Sequence, residues 1–490
     1  MAGIGFELRK YLSDDSFTGS LKAYGFAGLI SAGPWVLSIV GVMLIGIVAV
    51  SQKVGGEEIR QFTTSVTWIM GASLVLTGLF QLMFTRFIAD KLYSDREEDV
   101  NPNLFGALLL TTVVSGVIGL LLAFFLFDEG FAYELLMIAN FVTLSNVWIV
   151  VIFTAGLKQF KLILYAFAAG YSATVVFSIL LIPFGVSGLL FGLLAGHCVL
   201  LFLMLGVIIP EYRVSETLKM EFLERRKIFP ILIFIGFFYN LGIWIDKLLF
   251  WMNPGTSEKI IGPLSNSMIY DLPIFLAYLS IIPGMAVFLL RIETDFAEAY
   301  EGFFSAVRGN ASLPEIEKLG NEMVIAVREG IFQIFRVQGV TVLVLYLMGP
   351  TIIAWLGISP KYVHLYYIDL IGVAAQVLML AVLNVLFYLD RLKDALLLTA
   401  TLLITNGVFT WITLELGPVY YGYGFGLSMV ATAFVGIVRL GSVMDGIEYE
   451  TFMADRRESK SKRRSEKEAK GKFALARNML AKKNVQDKPA

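Results

Sequence analysis

The residues of this sequence most able to do chemistry are polar and charged side chains that interrupt long apolar stretches. Between residues 230 and 252, Asn240, Trp244 and Lys247 follow at spacings of four and three, which places them on one helix face. Asp246 adjoins Lys247. Because a charge at the bilayer centre costs roughly 2.5 to 3.5 kcal/mol, such residues usually face a partner or a cavity. Lys247 could bind anionic or carbonyl groups, and Asp246 a cation.

The adjacent charges Asp246 and Lys247 admit two interpretations. Neighbouring residues on a helix do not face each other, so we expect the two side chains to reach different partners, or one to extend toward the outer surface. Both could belong to a transport path. Alternatively, they form a structural ion pair or mark the end of a span.

A proline in the first apolar stretch predicts a bent helix. Pro34 lacks the N–H that would bond the carbonyl of Ile30, and Ser31 and Trp35 lie on the same stripe. Transporters place broken helices beside their substrate sites. A kink that serves packing alone is the alternative.

The second apolar stretch carries a small and polar face that includes Gly71, Gly78 and Gln81 and ends beside Arg86. Such a face either lines a path or allows close helix packing, and we favour packing. Two further acids, Asp271 and Asp369, could lie at the membrane interface. His197 is more typical of a buried hydrogen-bonding residue than of a proton relay.

The elements that must position these residues are membrane-spanning helices. The chain has 490 residues, 57% apolar and 16% charged, and its mean hydropathy is +0.74. Windows of roughly 20 apolar residues recur along nearly the whole chain. The predicted spans are 24–50, 62–88, 104–127, 132–156, 162–183, 188–209, 230–252, 268–291, 331–356, 364–389, 395–416 and 422–440. The sequence therefore predicts an all-α polytopic membrane protein with about twelve transmembrane helices in two six-helix lobes, 24–209 and 230–440.

Loop charges orient these spans. Alternate loops place 34 Lys and Arg on one side and four on the other, with Lys247 inside a span. By the positive-inside rule the basic side is cytoplasmic. We therefore expect the protein in the inner membrane, with both termini in the cytoplasm.

Four segments outside the spans have features of their own. Residues 1–23 predict a short interfacial helix, and 210–229 a cytoplasmic linker. Within 293–330, Ser312 and Glu315 read as a capping box before an amphipathic helix that lies on the inner membrane face and runs into the ninth span. That insertion could also be a solvated connector. The tail 441–490 holds 13 Lys and Arg against 8 Asp and Glu, which favours anionic lipids as partners or simple solubilisation.

Several function classes are excluded by what the sequence lacks. One cysteine, Cys198, and two distant histidines make a zinc site improbable. There is no G-x-x-x-x-G-K-[ST] phosphate loop, and no D-x-D motif or soluble α/β domain for a sugar-nucleotide synthase. We therefore expect no catalytic residue, no metal, no cofactor and no nucleic-acid partner.

The opening residues Met1 to Lys10, MAGIGFELRK, and the first-span sequence SAGPWVLSIVG from Ser31 to Gly41 resemble the transporter family of Pel exopolysaccharide systems, PelG. The resemblance implies a relation to polysaccharide exporters of the flippase and multidrug-exporter superfamily. It implies two lobes around a cavity partly lined by spans one, two, seven and eight. It also implies two kinds of partner: a cytoplasmic glycosyltransferase making an N-acetylhexosamine-rich chain, and membrane subunits that bind cyclic di-GMP.

Three functions remain open on the sequence. The first is an inner-membrane exporter of a polysaccharide or its lipid-linked precursor, moving between the two lobes. The second is a cation-coupled multidrug or lipid-linked oligosaccharide exporter, and the third a noncatalytic scaffold for a glycosyltransferase. The candidate path residues are Ser31, Pro34, Trp35, Gln81, Arg86, Asn240, Trp244, Asp246, Lys247 and Asp271.

Overall fold

The computed structural model describes residues 55–155, 160–212, 216–224, 229–356 and 359–447, with 24–28, 41, 44–46, 48, 449 and 451. The described part is essentially all-α. Its helices are α1 Gly56–Tyr93, α2 Val100–Leu126, α3 Phe131–Ala155, α4 Phe160–Leu180, α5 Gly185–Glu211, α6 Pro230–Met252, α7 Met268–Tyr278, α8 Ile281–Leu290, α9 Ala297–Arg308, α10 Leu313–Trp355, α11 Val363–Tyr388, α12 Leu392–Leu416 and α13 Tyr423–Asp445. One antiparallel hairpin, β1 Glu258–Ile261 and β2 Leu264–Asn266, joins α6 to α7.

Eleven stretches among the described residues are long and apolar enough to cross a membrane. They match the second to twelfth predicted spans one by one. The first predicted span, 24–50, lies mostly outside the described residues, as do the segments 1–23 and 452–490. The eighth span is broken between α7 and α8, where Pro283 lacks the N–H that would bond the carbonyl of Leu279.

Two large apolar cores organise most of the described helices. Buried side chains of α1 to α5 form one core, and those of α6 to α13 form the other. We call these sets the N-terminal bundle and the C-terminal bundle. The linker after α5 belongs to the first: Phe222 is buried with its ring edge against Phe84, 4.7 Å between centroids.

A buried charge cluster fixes this linker to the ends of α1 and α2. Lys91 bonds Asp99 at 2.5 Å and Glu221 at 2.7 Å, and Lys219 bonds the other oxygen of Asp99 at 2.9 Å. The hydrogen bond to Asp99 and a further one to Glu216 raise the pKa of Lys219 above its usual range. Asp99 is therefore a buried anion that bonds the ammonium groups of both Lys91 and Lys219.

We expect Asp99→Asn to destabilise the N-terminal bundle, because it leaves buried Lys91 with one carboxylate partner fewer. Removing one member of a buried ion pair costs about 3 kcal/mol or more. The aggregation temperature of the detergent-solubilised protein should fall by roughly 5 °C. Glu322→Gln breaks an exposed pair with Lys318 and serves as the control. Equal aggregation temperatures for Asp99→Asn and Glu322→Gln would contradict the stabilising role of Asp99.

The insertion between the eighth and ninth spans differs in part from its prediction. Ser312 is the residue before α10 and Pro314 lies in its first turn, but the Ser312 side chain makes no capping hydrogen bond. The amphipathic segment continues unbroken into the ninth span. Its apolar residues, such as Ile316 and Met323, pack in the C-terminal core with Phe303 of α9. A short helical hairpin results. With 43 residues, α10 is about 65 Å long, roughly twice the hydrocarbon thickness, so we expect this hairpin to project beyond the membrane.

Candidate functional site

The charged pair on α6 is enclosed by the C-terminal bundle. Asp246 is 0% exposed and Lys247 7%. The ammonium of Lys247 lies 3.0 Å from Oδ2 of Asp246, so the expectation that these neighbours reach different partners is wrong. The long lysine side chain folds back along its own helix, where Nζ also donates to the carbonyl of Ile243 at 3.0 Å. Neither side chain extends to the surface.

Aromatic rings surround the rest of the Lys247 ammonium. Its Nζ lies 5.2 Å from the ring centre of Tyr278, 5.4 Å from that of Phe425 and 6.0 Å from that of Trp244. Ring faces attract cations, and the attraction grows where water is absent. The positive charge is thus stabilised by one carboxylate, one carbonyl and three rings, contributed by α6, α7 and α13.

Asp246 accepts hydrogen bonds from two further helices. The Tyr270 hydroxyl of α7 donates to Oδ2 at 2.6 Å, and the Asn406 amide of α12 donates to Oδ1 at 3.1 Å. The same amide donates to the carbonyl of Gly242 at 2.8 Å, and Thr410 donates to Asn406 Oδ1 at 3.2 Å. Hydrogen bonds to a charged acceptor are the stronger kind. Asp246 therefore connects α6, α7 and α12 at one point.

A second buried acid, Asp369 of α11, has a different environment. It is 0% exposed, inside the protein rather than at the edge that its sequence position suggested. Within the part of the chain that the structure describes, neither carboxylate oxygen has a hydrogen-bond partner. Asp246 and Lys247 are the charged groups that act on it. One ammonium is therefore near two carboxylates, of which one is fully bonded and the other is not.

This arrangement holds a positive charge inside the C-terminal bundle. Asp246, Lys247 and Asp369 are the charged members, and we call them with Tyr270 and Asn406 the α6 charge cluster. Lys247 lies five residues before the end of α6, so the cluster is roughly 8 Å from that helix end. Among the described residues, no three His, Cys, Asp or Glu side chains gather as ligands for a metal.

The small face of the second predicted span contacts α6 directly. A Cβ atom at Gly71 would lie 2.9 Å from the Trp244 ring, and one at Gly78 would lie 2.7 Å from the Asn240 amide. A Cβ at Gly236 would lie 2.2 Å from the carbonyl oxygen of Gly78. The structure thus uses these glycines for close packing between the two bundles. Asn240 and Trp244 lie in this seam.

Polar contacts join the bundles at one end of the seam through the β-hairpin. Asn266 donates to Thr64 Oγ1 at 3.1 Å, and Trp68 Nε1 donates to the carbonyl of Ser265 at 2.8 Å. Arg60 and Glu258 form an ion pair of 2.6 Å. The charge bias of the loops predicts that this is the outer end. These contacts tie a segment of the C-terminal bundle onto α1.

A smaller contact joins the bundles at the opposite end. Arg86 Nη1 of α1 lies 3.1 Å from Asp390, in the turn between α11 and α12, and its Nε lies 3.1 Å from Asp90. The guanidinium also lies 5.5 Å from the ring centre of Phe229. Arg86 therefore contacts the C-terminal bundle far from the α6 charge cluster.

The remaining predicted site residues are scattered. Gln81 donates to Thr77 of its own helix at 3.1 Å. Asp271 accepts from Trp251 Nε1 at 2.8 Å and from the backbone N–H of Ser267 at 3.0 Å, which fixes the turn after the hairpin. Ser31, Pro34 and Trp35 lie outside the described residues.

Sequence reasoning missed two members of the α6 charge cluster, Tyr270 and Asn406, and also Tyr278, whose ring lies beside the Lys247 ammonium. Tyr270 and Tyr278 are ordinary aromatics in an apolar stretch, so no sequence signal distinguishes them. Asn406 had a signal, because an amide in the middle of the eleventh apolar stretch needs a partner.

Comparison with solved structures shows which fold this is. An outward-facing multidrug resistance MATE family transporter of the MOP superfamily matches with a TM-score of 0.61 at 13% identity, over 86% of this chain and 96% of that one. A MOP superfamily transporter from Pyrococcus furiosus matches at 0.59 and 13%, over 86% and 96%. The Vibrio cholerae MATE transporter VcmN, in a substituted form, matches at 0.60 and 11%, over 90% and 98%. At these identities the likeness concerns the fold: this is a multi-pass membrane protein with the architecture of MATE transporters.

Sequence comparisons give the family. No curated protein matches the chain. A family model described as "PelG: Putative exopolysaccharide Exporter (EPS-E)" matches residues 1–452, most of the sequence and all of its predicted spans. With the transporter fold and the opening motifs MAGIGFELRK and SAGPWVLSIVG, this match shows that the chain belongs to the PelG family of exopolysaccharide exporters.

Proposed function

We propose that this protein exports a Pel-type polysaccharide, rich in N-acetylhexosamine, or its lipid-linked precursor, between its N-terminal and C-terminal bundles. The observation that carries the proposal is how the bundles meet. Each has its own apolar core, whereas between them lie a glycine seam, a few partly buried apolar side chains and polar contacts at both ends. Polar contacts can be exchanged for water without exposing a core. This suits movement of one bundle against the other.

The membrane and the partners belong to the same proposal. The 34 basic residues on one side favour the cytoplasmic membrane with both termini inside. Membership of the family favours a cytoplasmic glycosyltransferase and cyclic di-GMP-binding membrane subunits as partners, with the basic tail on anionic lipids.

Inactivating the gene and complementing it tests the proposed function directly. We expect extracellular polysaccharide to disappear in the absence of the gene and to return with the wild-type chain. Polysaccharide bound to cells and released into the medium should be measured separately, because a defect in attachment lowers only the first. Unchanged extracellular polymer without the gene would remove the proposal.

A cation-coupled exporter of small molecules or lipid-linked oligosaccharides is the second candidate, and the α6 charge cluster is the observation that favours it. Buried acids inside a membrane bundle typically mark ion or proton pathways. The two candidates differ in the cargo. Resistance to cationic drugs that rises when the protein is overproduced, and falls when a protonophore is added, would favour the second.

A third candidate, a scaffold for the glycosyltransferase, predicts a different result. A scaffold needs no relative movement of its bundles, so export would survive a cross-link that holds them together.

A further inference from the structure

Three tryptophan rings gather where the bundles meet at the hairpin end. Trp68 is on α1, whereas Trp244 and Trp251 are on α6. The ring centroids of Trp68 and Trp251 are 4.8 Å apart, with a tilt of 39° between the planes, and those of Trp244 and Trp251 are 6.1 Å apart. Neither the seam nor the α6 charge cluster requires an aromatic pair at this position.

These rings are not an ordinary interfacial belt. Belt tryptophans extend toward lipid, as Trp355 and Trp411 do with 85% and 58% exposure. Trp251 is 2% exposed and Trp68 is half-buried. Both indole N–H groups are already used, Trp68 toward the Ser265 carbonyl and Trp251 toward Asp271. Hydrogen bonds therefore fix the N–H edge of each indole, and the two ring faces contact each other.

Polar groups flank the paired rings. The Thr64 hydroxyl and the Asn266 amide bond each other across the bundle boundary, and the Ser265 hydroxyl donates to the carbonyl of Trp251 at 2.6 Å. Aromatic faces with a few placed polar groups are typical of sites for small polar molecules. A sugar unit fits this pattern, because its C–H face is apolar while hydroxyl and amide groups project from its rim.

The two rings come from different bundles, so the distance between them depends on the relative position of the bundles. In this structure the faces touch and leave no room for a ligand between them. When the outer ends of α1 and α6 part, the Thr64–Asn266 and Trp68–Ser265 bonds must break. The same movement frees the ring faces and the hydroxyl and amide groups together.

We propose that Trp68 and Trp251 form a saccharide-binding site at the outer end of the bundle boundary, where one sugar unit stacks between the separated rings. Thr64 and Asn266 then bond the rim of the sugar instead of each other. Asp271 is a positioning residue that holds the Trp251 indole. The inference rests on the proposed function, since the ligand is a unit of the exported chain.

Saturation-transfer NMR on the purified protein with a pentasaccharide of N-acetylglucosamine tests this site without relying on tryptophan as the reporter. We expect saturable binding, with transfer strongest to the C–H groups of one sugar face. Arg60→Gln removes a contact that holds the hairpin to α1, and it should strengthen binding because the site opens more readily. Absence of binding to both the wild type and Arg60→Gln would overturn the inference.

Variants of the rings separate stacking from a structural role. Trp68→Ala and Trp251→Ala should each weaken binding about tenfold, because a stacked aromatic face is lost. Trp68→Phe and Trp251→Phe keep a ring and should stay within about threefold of wild type. Trp355→Ala, at a lipid-facing position, is the matched control. Size-exclusion profiles report folding.

The result is distinguishable from failure of the proposed function. Equal binding by Trp68→Ala, Trp251→Ala and Trp355→Ala would overturn the saccharide site while gene inactivation still abolished export. Loss of the proposed function would appear in cells as polymer export that persists without the gene, whatever the purified protein binds.

Discussion

A covalent link between the β-hairpin and α1 is expected to stop export, and cleaving the link should restore it. Thr64 and Asn266 touch across the bundle boundary at 3.1 Å. A short reversible methanethiosulfonate cross-linker should join Thr64→Cys and Asn266→Cys in a Cys198→Ala background. Because the link holds these ends of the bundles together, we expect complete cross-linking to lower extracellular polysaccharide at least tenfold. Partial cross-linking should lower it in proportion to the cross-linked fraction. Cleaving the cross-link with a reducing agent should restore export.

A matched pair inside one bundle controls for the chemistry. Ser65 and Tyr133 share a hydrogen bond of 2.8 Å between α1 and α3, both in the N-terminal bundle. Linking Ser65→Cys to Tyr133→Cys modifies the same part of α1 without joining the bundles, so export should persist. Full export with the Thr64–Asn266 link complete would show that the bundles do not part at this end. That outcome favours the scaffold.

The α6 charge cluster gives the second large effect. Asp246→Asn has nearly the same shape but leaves the Lys247 ammonium buried without its carboxylate. Breaking a buried pair in this way costs about 3 to 5 kcal/mol, so we expect little protein in the membrane and a loss of export greater than tenfold. Measuring export per molecule of protein, by quantitative immunoblotting of membranes, is therefore essential.

The double variant Asp246→Asn, Lys247→Met decides between the two interpretations of the pair. Removing both charges removes the unpaired ion, so the protein should accumulate again. We expect export per molecule to stay at least tenfold low, because transport needs the exchangeable charge. Asp369→Asn, which alters the second acid, should behave in the same way. Export restored by the double variant would make the pair purely structural.

An ion pair elsewhere in the same bundle is the control for these variants. Arg439 of α13 and Asp394 of α12 are bonded near the end opposite the hairpin, away from the α6 charge cluster. This pair is partly exposed, and exposed pairs contribute about 0 to 1 kcal/mol. Asp394→Asn should therefore keep export within about twofold of wild type.

The hairpin and the charge cluster are close along the chain. β2 ends at Asn266, which contacts α1, and Tyr270, which donates to Asp246, follows within one helical turn of α7. Asp271 holds the intervening turn through the N–H of Ser267. The hairpin residue that contacts α1 and the tyrosine that bonds Asp246 are therefore only four residues apart.

Much of the architecture could be predicted from the sequence. Eleven of the twelve predicted spans coincide with helices of the described residues, and the continuation of the amphipathic helix into the ninth span was also expected from the sequence. The reason is local. A span is set by the number of consecutive apolar residues and by the charges beside it, and both are properties of a short window.

The site itself was decided by tertiary structure. A helical wheel places Asp246 and Lys247 about 100° apart, yet the flexible lysine chain reaches back to its neighbour once rings from α7 and α13 close the other directions. Likewise the glycines of the second span showed only that something packs closely there, whereas α6 proved to be the partner.

The sequence by itself determined that this chain crosses the membrane many times and, through two opening motifs, its family. Only the tertiary structure decided that Asp369 is buried without a hydrogen-bond partner among the described residues, that Trp68 meets Trp251, and that a hairpin joins the two bundles. The physical reason is that insertion into a membrane depends on the apolar composition of short segments. The pairing of polar atoms instead depends on the rotation and separation of helices that are distant in sequence.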